Sequence, residues 1–332
     1  MTAEPSTRVM TVTPEAVAEA VGCLKVGGLV AFPTETVYGL GADATNARAV
    51  ARLYEAKGRP AFNPLIAHVR DAAAACDLGK LDAVATRLAE VFWPGPLTLV
   101  VPRQPGCPVA ELATAGLATI ALRVPAHTVA RDLLAALRGP IVAPSANRSG
   151  HVSPTTAQHV LSDLRGRIDL LLDGGPSSVG LESTIVTCIG EPKLLRSGGL
   201  PRTDIERVLG HPLAVGSPFA ETSAEAPIAP GQLASHYAPR TPLRLNANKV
   251  GAGEALLAFG EPLPLGSDHA LGVLNLSPGA DMFEAAASLF SHLRALDALG
   301  APAIAVMPIP QTGLGEAIND RLQRAAAPRP DV

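Results

Sequence analysis

Residues 31–69 read AFPTETVYGLGADATNARAVARLYEAKGRPAFNPLIAHV, and their reading decides the fold. With the preceding Gly28-Leu29-Val30 they predict a buried strand over Leu29–Pro33. The chain then breaks at Pro33 into a polar loop, Thr34-Glu35-Thr36. A helix is expected over Ala47–Lys57. Asn46 can cap its start, Val50, Leu53, Tyr54 and Lys57 fall at helical spacing, and Gly58 followed by Pro60 stops it. A basic turn, Lys57-Gly58-Arg59-Pro60, leads through Asn63 to a second short strand over Leu65–Val69, which holds His68. Two strand ends, each beside polar or basic residues, describe the walls of a small-molecule site. The bases are few and placed, which favours a nucleotide's phosphates over a nucleic-acid surface.

Outward from this stretch the alternation continues. Strands are expected at Leu97–Pro102, Thr119–Val124, Ile141–Ala143, Leu170–Leu172, Ser183–Cys188 and Lys193–Arg196. Helices are expected at Asp82–Phe92, Thr128–Leu137, Pro154–Leu164 and Thr203–Leu209. Strands outnumber helices and several are adjacent, so a mixed sheet with helices packed on it fits better than a strict parallel array. In residues 211–240 the composition changes, with His211-Pro212, Gly216-Ser217-Pro218, Glu221 to Pro227 and Pro230-Gly231, and the stretch reads as a linker. Beyond it, strands at Glu254–Phe259, Leu271–Leu276 and Ala303–Val306 alternate with helices at Met282–Leu299 and Leu314–Ala325. In the first of these helices Phe283, Ala287, Phe290 and Leu293 or Arg294 fall roughly on one face. The pattern is that of a small Rossmann-like domain. The expected division is therefore 1–210, 211–240 and 241–332.

A chain of 332 residues favours two domains over one, and 47% hydrophobic with 17% charged residues marks a globular protein with ample core. Its net charge of −3 is uneven. Residues 1–210 hold 20 Lys and Arg against 19 Asp and Glu, and residues 211–332 hold 7 against 11. Neither part has the basic balance of a dedicated nucleic-acid binder. Cys23, Cys76, Cys107 and Cys188 are widely spaced with no C-x-x-C, so zinc and thioredoxin-like chemistry lack support and a reducing cytoplasm is the simplest setting. No secretory signal is visible in MTAEPSTRVMTV, and no apolar run reaches the ~20 residues that span a bilayer.

Several constellations carry chemistry. Lys57 and Arg59 suit phosphates, a point charge beside a planar fork, but on its own the turn reads more strongly as an ordinary helix ending. Pro144-Ser145-Ala146-Asn147-Arg148-Ser149-Gly150 leads into Ser153 and Pro154, a possible N-cap and first helical residue whose free amides would suit an anion. A capped helix after a polar turn is the alternative. Thr119 and Arg123 share one face of a strand, and a buried Arg there needs an anionic partner. Ser183 and Thr184 come after a flexible loop at a strand's edge. P-loop, G-x-G-x-x-G, G-x-S-x-G and H-E-x-x-H motifs are missing.

The ordered set of segments resembles the threonylcarbamoyl-AMP synthase family, which has the YrdC-like fold. The matching residues are Pro33 to Leu40, Lys57-Gly58-Arg59-Pro60 with Asn63-Pro64-Leu65, and Trp93 to Thr98. They continue through Arg123-Val124-Pro125, Ser145-Ala146-Asn147 with Ser149-Gly150, Gly180 to Thr184, and Leu195-Arg196 with Gly198. The segment Ala229-Pro230-Gly231…His236-Tyr237-Ala238-Pro239 and the second domain look like the longer, two-domain type.

The resemblance implies an α/β fold, a YrdC-like mixed twisted sheet with flanking helices plus the small Rossmann-like domain. It implies a reaction in which L-threonine, bicarbonate or CO2 and ATP give L-threonylcarbamoyladenylate and pyrophosphate, with Mg2+ accompanying ATP. The product would pass to a separate threonylcarbamoyl transferase that modifies tRNA. Carried onto this sequence, threonine would be held by Thr36, His68, Arg123, Ser145 and Ser183, with Arg123 offering its carboxylate two parallel hydrogen bonds. ATP would be held by Lys57, Arg59, Asn63, Thr119, the Ala143 backbone, Ser153, Arg196 and Tyr237. Lys57 and Arg59 would stabilise charge during catalysis. One departure is Gln232-Leu233-Ala234-Ser235, uncharged where the family's linker commonly carries bases. The linker is expected to fold over the cleft as a lid. Two rivals are a non-enzymatic RNA-binding protein of the same fold, which the balanced charge opposes, and a metallocentre-maturation carbamoyltransferase, whose cysteine-rich zinc segments are absent.

Overall fold

The computed structural model describes residues 6–215 and 237–328. The linker segment Gln232 to Ser235 therefore lies outside the described residues, as does most of the lid expected over 211–240. Eleven described strands form one mixed sheet. They are β1 (Arg8–Thr11), β2 (Val30–Phe32), β3 (Gly39–Asp43), β4 (Ile66–His68), β5 (Leu97–Pro102), β6 (Thr119–Arg123), β7 (Ile141–Val142), β8 (Leu170–Asp173), β9 (Thr184–Thr187), β10 (Lys193–Arg196) and β11 (Ala214–Val215). Their order is β1-β8-β2-β3-β7-β4-β6-β5-β9-β10-β11. Helices α1 (Pro14–Lys25), α2 (Ala47–Lys57), α3 (Ala72–Cys76), α4 (Ala83–Phe92), α5 (Thr128–Leu137), α6 (Ala157–Leu164) and α7 (Arg202–Leu209) connect them.

Side chains alternate between the faces of a strand, and in the centre of the sheet this separates core from site. Ala67, Leu97, Leu99, Val101, Ile120, Leu122 and Val186 enter the largest hydrophobic core together with α2 and α4. Their neighbours Ile66, Val100, Ala121 and Ile185 form a small separate apolar cluster. His68 and Arg123 continue that second set, and they are register partners across β4 and β6.

Two differences from expectation have a clear local cause. The helix expected from Pro154 begins at Ala157, with Thr156 rather than Ser153 as its cap. The cause is local, because Pro154 gives its carbonyl to the Tyr38 amide and Thr155 gives its carbonyl to Ser177, which holds the segment outside the helix. Strand β3 has no counterpart among the expected strands, since glycines at positions 39 and 41 interrupt its apolar run. Its glycine is needed for close approach: a Cβ on Gly41 would lie 2.7 Å from the Phe32 ring on the paired strand. By contrast α2 forms as expected, with Asn46 accepting from the Arg48 and Ala49 amides and Gly58 closing it at φ 60°.

Past the linker, β12 (Leu243–Arg244), β13 (Ala255–Ala258), β14 (Val273–Asn275) and β15 (Ile304–Val306) form a second, parallel sheet in the order β12-β15-β13-β14. Helices α8 (Met282–Asp297) and α9 (Gly315–Ala326) complete this part. Phe290 and Leu293 of the expected face are buried, with Ala285, Ala286, Leu289 and Leu296, while Phe283 is exposed. The face runs one or two positions later because this stripe, including Leu289 and Leu296, is the continuous apolar one.

The two sheets share an apolar boundary. Val37, Val152, Leu181 and Tyr237 enter the same core as α8, β13 and β15. Ion pairs Arg294–Asp163 at 2.9 Å and Arg202–Glu316 at 3.2 Å flank it. Gly180, at φ 75°, fits so closely that a Cβ would lie 2.3 Å from the Ala286 carbonyl of α8. Gly180→Ala is therefore expected to destabilise the chain by about 2 kcal/mol or more, through strain and overpacking. Urea unfolding would check this; an unchanged midpoint would show that the boundary gives way freely.

Candidate active site

The face that carries His68 and Arg123 opens into a cavity lined by Thr36, Arg59, His68, Arg123, Ser145 and Glu182, together with Val37, Leu65, Ile66, Ala143, Pro144, Ser183, Arg196 and Tyr237. Its empty space, open mouth and adjoining solvent included, is about 520 Å3. The segments that converge on it include the loop after β2, the ends of β4 and β6, the turn after β7 and the entry to β9.

Arg123 sits at the end of β6, and its Nη2 donates to Glu35 Oε1 at 2.6 Å. Its Nε donates to the Gly95 carbonyl at 3.2 Å. This supplies the anionic partner that a buried strand Arg requires. These two bonds use Nε and one Nη2 proton, so three of the five guanidinium N–H donors, on Nη1 and Nη2, remain for the expected pair of parallel hydrogen bonds to a ligand. Burial pushes the Glu35 carboxyl up, but Arg123 and the Ala126 amide more than offset it and hold Glu35 below the ordinary carboxylate value. His68 is driven down to about 3, first by burial and then by the neighbouring Arg123 charge. Its ring is therefore neutral near pH 7. Nδ1 lies 3.3 Å from the Ile66 carbonyl; a proton there leaves Nε2 as the acceptor.

Arg59 turns into the cavity from the end of α2. Its Nη2 donates to the Pro64 carbonyl at 3.2 Å, while the Tyr54 hydroxyl fixes the same loop through the Asn63 carbonyl at 3.0 Å. Burial lowers the Arg59 guanidinium to about 10, so it stays charged at neutral pH. Arg196 reaches across from β10, donating from Nε and Nη2 to the Ser183 carbonyl and from Nη2 to Ser183 Oγ. Ser183 Oγ also lies 2.7 Å from Thr98 Oγ1. Thr36 is held through Thr34, hydroxyl to hydroxyl at 2.8 Å.

Of the residues singled out from sequence, Thr36, Arg59, His68, Arg123, Ala143, Ser145, Ser183, Arg196 and Tyr237 meet at this one cavity. Lys57 does not line it. Its buried ammonium donates to the Ser145 carbonyl at 2.6 Å and to the Asn147 carbonyl, and burial, with the Arg59 charge, moves it well below the ordinary lysine value. Asn63 is buried next to the cavity with Oδ1 unpartnered. Ser153 is wholly buried and donates to Glu182. Thr119 lies four positions along β6 from Arg123, on the same face, roughly 13 Å away.

Sequence reasoning missed Glu35, Thr98 and Glu182 as parts of the site. Both acids are buried, and an acid set among residues destined for the interior demands a distant cation. That was the available signal in Pro33-Thr34-Glu35 and in Gly180-Leu181-Glu182. Among the described residues no group of three or more His, Cys, Asp or Glu side chains could hold a metal ion. No described helix is long and apolar enough to cross a membrane.

Comparisons with known proteins agree along the whole chain. A family model described as "Telomere recombination" matches residues 22–198, and one described as "Threonylcarbamoyl-AMP synthase, C-terminal domain" matches residues 200–327. The chain is 41% identical over 330 residues to threonylcarbamoyl-AMP synthase of Bacillus subtilis, covering 94% of this chain and 93% of that protein. It is 41% identical over 331 residues to the Pyrococcus abyssi protein of the same name, covering 93% and 94%. The crystal structure of P. abyssi Sua5 complexed with L-threonine matches with a TM-score of 0.87 at 37% identity, covering 96% of this chain and 98% of that one.

The neutral state of His68 has a consequence for stability. Its folded value of about 3 lies below the ordinary 6.5, so the unfolded chain takes up the proton first as pH falls. Stability should be level above pH 6.5 and drop below it by about 1.4 kcal/mol per pH unit for this proton. Paired carboxylates add to the loss only at lower pH. Melting curves of the wild type and His68→Gln are expected to diverge between pH 6.5 and 5, with the variant flatter; parallel slopes would contradict a buried neutral ring.

Proposed function

The chain belongs to the threonylcarbamoyl-AMP synthase family and its activity is threonylcarbamoyl-AMP synthesis; we propose that its cavity does this as a nucleotidyltransferase, using L-threonine, bicarbonate or CO2, and ATP. The observation that carries the reading is the convergence of Arg59, Arg123 and Arg196 on one enclosed space lined also by Thr36, Ser145 and Ser183. An amino acid needs a cation for its carboxylate and small hydroxyls for its side chain. A triphosphate needs cations that are fixed beforehand.

Threonine is assigned to Thr36, His68, Arg123, Ser145 and Ser183. A site that hydrogen-bonds the threonine hydroxyl rejects analogues lacking it. The amine combines with CO2 as a carbamate, whose oxygen attacks the α-phosphate, and pyrophosphate leaves. Alignment and charge stabilisation carry most of such a transfer. ATP is assigned to Arg59, Asn63, Thr119, the Ala143 backbone, Ser153, Arg196 and Tyr237. Ile66 and Ala121 make an apolar step between Arg123 and Thr119, suited to a base. Lys57 acts from behind, by holding the carbonyls of Ser145 and Asn147. The protein offers no ready-made cluster for a metal among its described residues, so Mg2+ is expected to enter on the triphosphate. Cytoplasmic location and delivery of the adenylate to a tRNA-modifying transferase belong to the same reading.

The test is pyrophosphate release from ATP that requires both threonine and bicarbonate. Release indifferent to threonine would end this reading. Arg123→Ala and Arg59→Ala are each expected to lower kcat/KM at least about 100-fold, roughly 2.7 kcal/mol of transition-state stabilisation. The first should act mainly through threonine and the second through ATP.

A further inference from the structure

The last helix sends one side chain across the boundary into the wall of the cavity. Arg321 of α9 is the bulkiest fully buried side chain in the described structure. Its Nε donates to Glu182 Oε2 at 2.9 Å and its Nη2 to the Ser197 carbonyl at 2.8 Å, while Nη1 pairs with Asp320. Its guanidinium carbon lies 5.0 Å from the centre of the Tyr237 ring, which stacks on Phe290 at 5.7 Å. Glu182 and Tyr237 both line the cavity.

A buried carboxylate is stable only beside a cation. Two cations act on Glu182: Arg321, which is bonded to it, and Arg196, which bonds Ser183. Remove Arg321, and Arg196 becomes the cation available to neutralise Glu182. It would then leave Ser183 and surrender its charge to the carboxylate.

We propose that Arg321 is a positioning residue for the nucleotide side of the cavity: by holding Glu182 and Tyr237 it keeps Arg196 bonded to Ser183 rather than paired with Glu182. The inference rests on the reading that Arg196 and Tyr237 face ATP. It makes the second sheet's unit a working part of the site. Thr98 still holds Ser183 and Glu35 still holds Arg123, so the threonine end should be far less affected.

The experiment measures dissociation constants for ATP and for threonine by titration calorimetry on the full chain, alongside threonine-dependent pyrophosphate release. Arg321→Met is expected to weaken ATP binding about tenfold, close to 1.4 kcal/mol, and threonine binding by less than about threefold. Adding Glu182→Gln removes the stranded charge and should restore most of the ATP affinity, a coupling that a merely structural role would not produce. Should Arg321→Met fail to fold, Arg321→Lys with and without Glu182→Gln gives the same comparison with the charge kept and the geometry altered. A double variant no better than the single one, or equal losses for both ligands, overturns the proposal. A wild type that binds ATP but releases no pyrophosphate with threonine would instead sink the parent reading, and the affinities would still decide the clamp.

Discussion

The site depends on a guanidinium and a carboxylate buried against one another, Arg123 and Glu35. Each would be intolerable alone, since stripping an unpaired charge of water costs several kcal/mol. Their pairing ties the loop after β2 to the end of β6 and to the Ala126 amide. That loop carries Thr36 and Val37, so the pair places one wall of the cavity and one contact with the second unit. The same Arg123 faces His68 across the sheet register and helps to keep the imidazole uncharged. A single ion pair thereby sets both the shape and the charge pattern of the Arg123–His68 end of the cavity.

The cations around Arg59 and Arg196 are steadied differently. Arg59 leans on the Pro64 carbonyl, Arg196 on the Ser183 carbonyl, and Lys57 on those of Ser145 and Asn147. A carbonyl oxygen satisfies donors and fixes geometry without bringing a full negative charge. Carboxylates in those places would orient the cations equally well and cancel their field. Backbone oxygens thus leave the field for an anionic ligand, and preorganised charge of this kind is what phosphoryl chemistry uses.

Much of this was legible beforehand for a physical reason. Helix α2 announces itself through Asn46, its apolar spacing and Gly58, all local effects. Strand β5 is an apolar run broken only by Thr98, and its bounds are those expected. Helix α1 was not expected, although Thr13-Pro14-Glu15 is a cap, a first-turn proline and an acid in order; its small alanines blur the apolar stripe. Strand β3 hid behind glycines that a neighbouring Phe32 requires. The roles of Glu35 and Glu182 were hidden because their partners stand 88 and 139 residues away. Nothing local says which cation will arrive. The family motifs named the strand ends around the cavity, but not the side chains that brace them from behind.

Strand β1 pairs with β8 in parallel, Arg8 against Leu170, and β8 also lies beside β2. A sheet built this way cannot close in the order in which it is made. At roughly 5–20 residues per second, about 10 to 30 s of synthesis separate β2 from the strand that must slot between it and β1. During that interval β2 has β3 on one side and an open edge on the other. The nascent chain must therefore wait, with an apolar strand exposed, for a partner still inside the ribosome, so acquisition of the native sheet is paced by synthesis as well as by the slow search that long-range pairing entails.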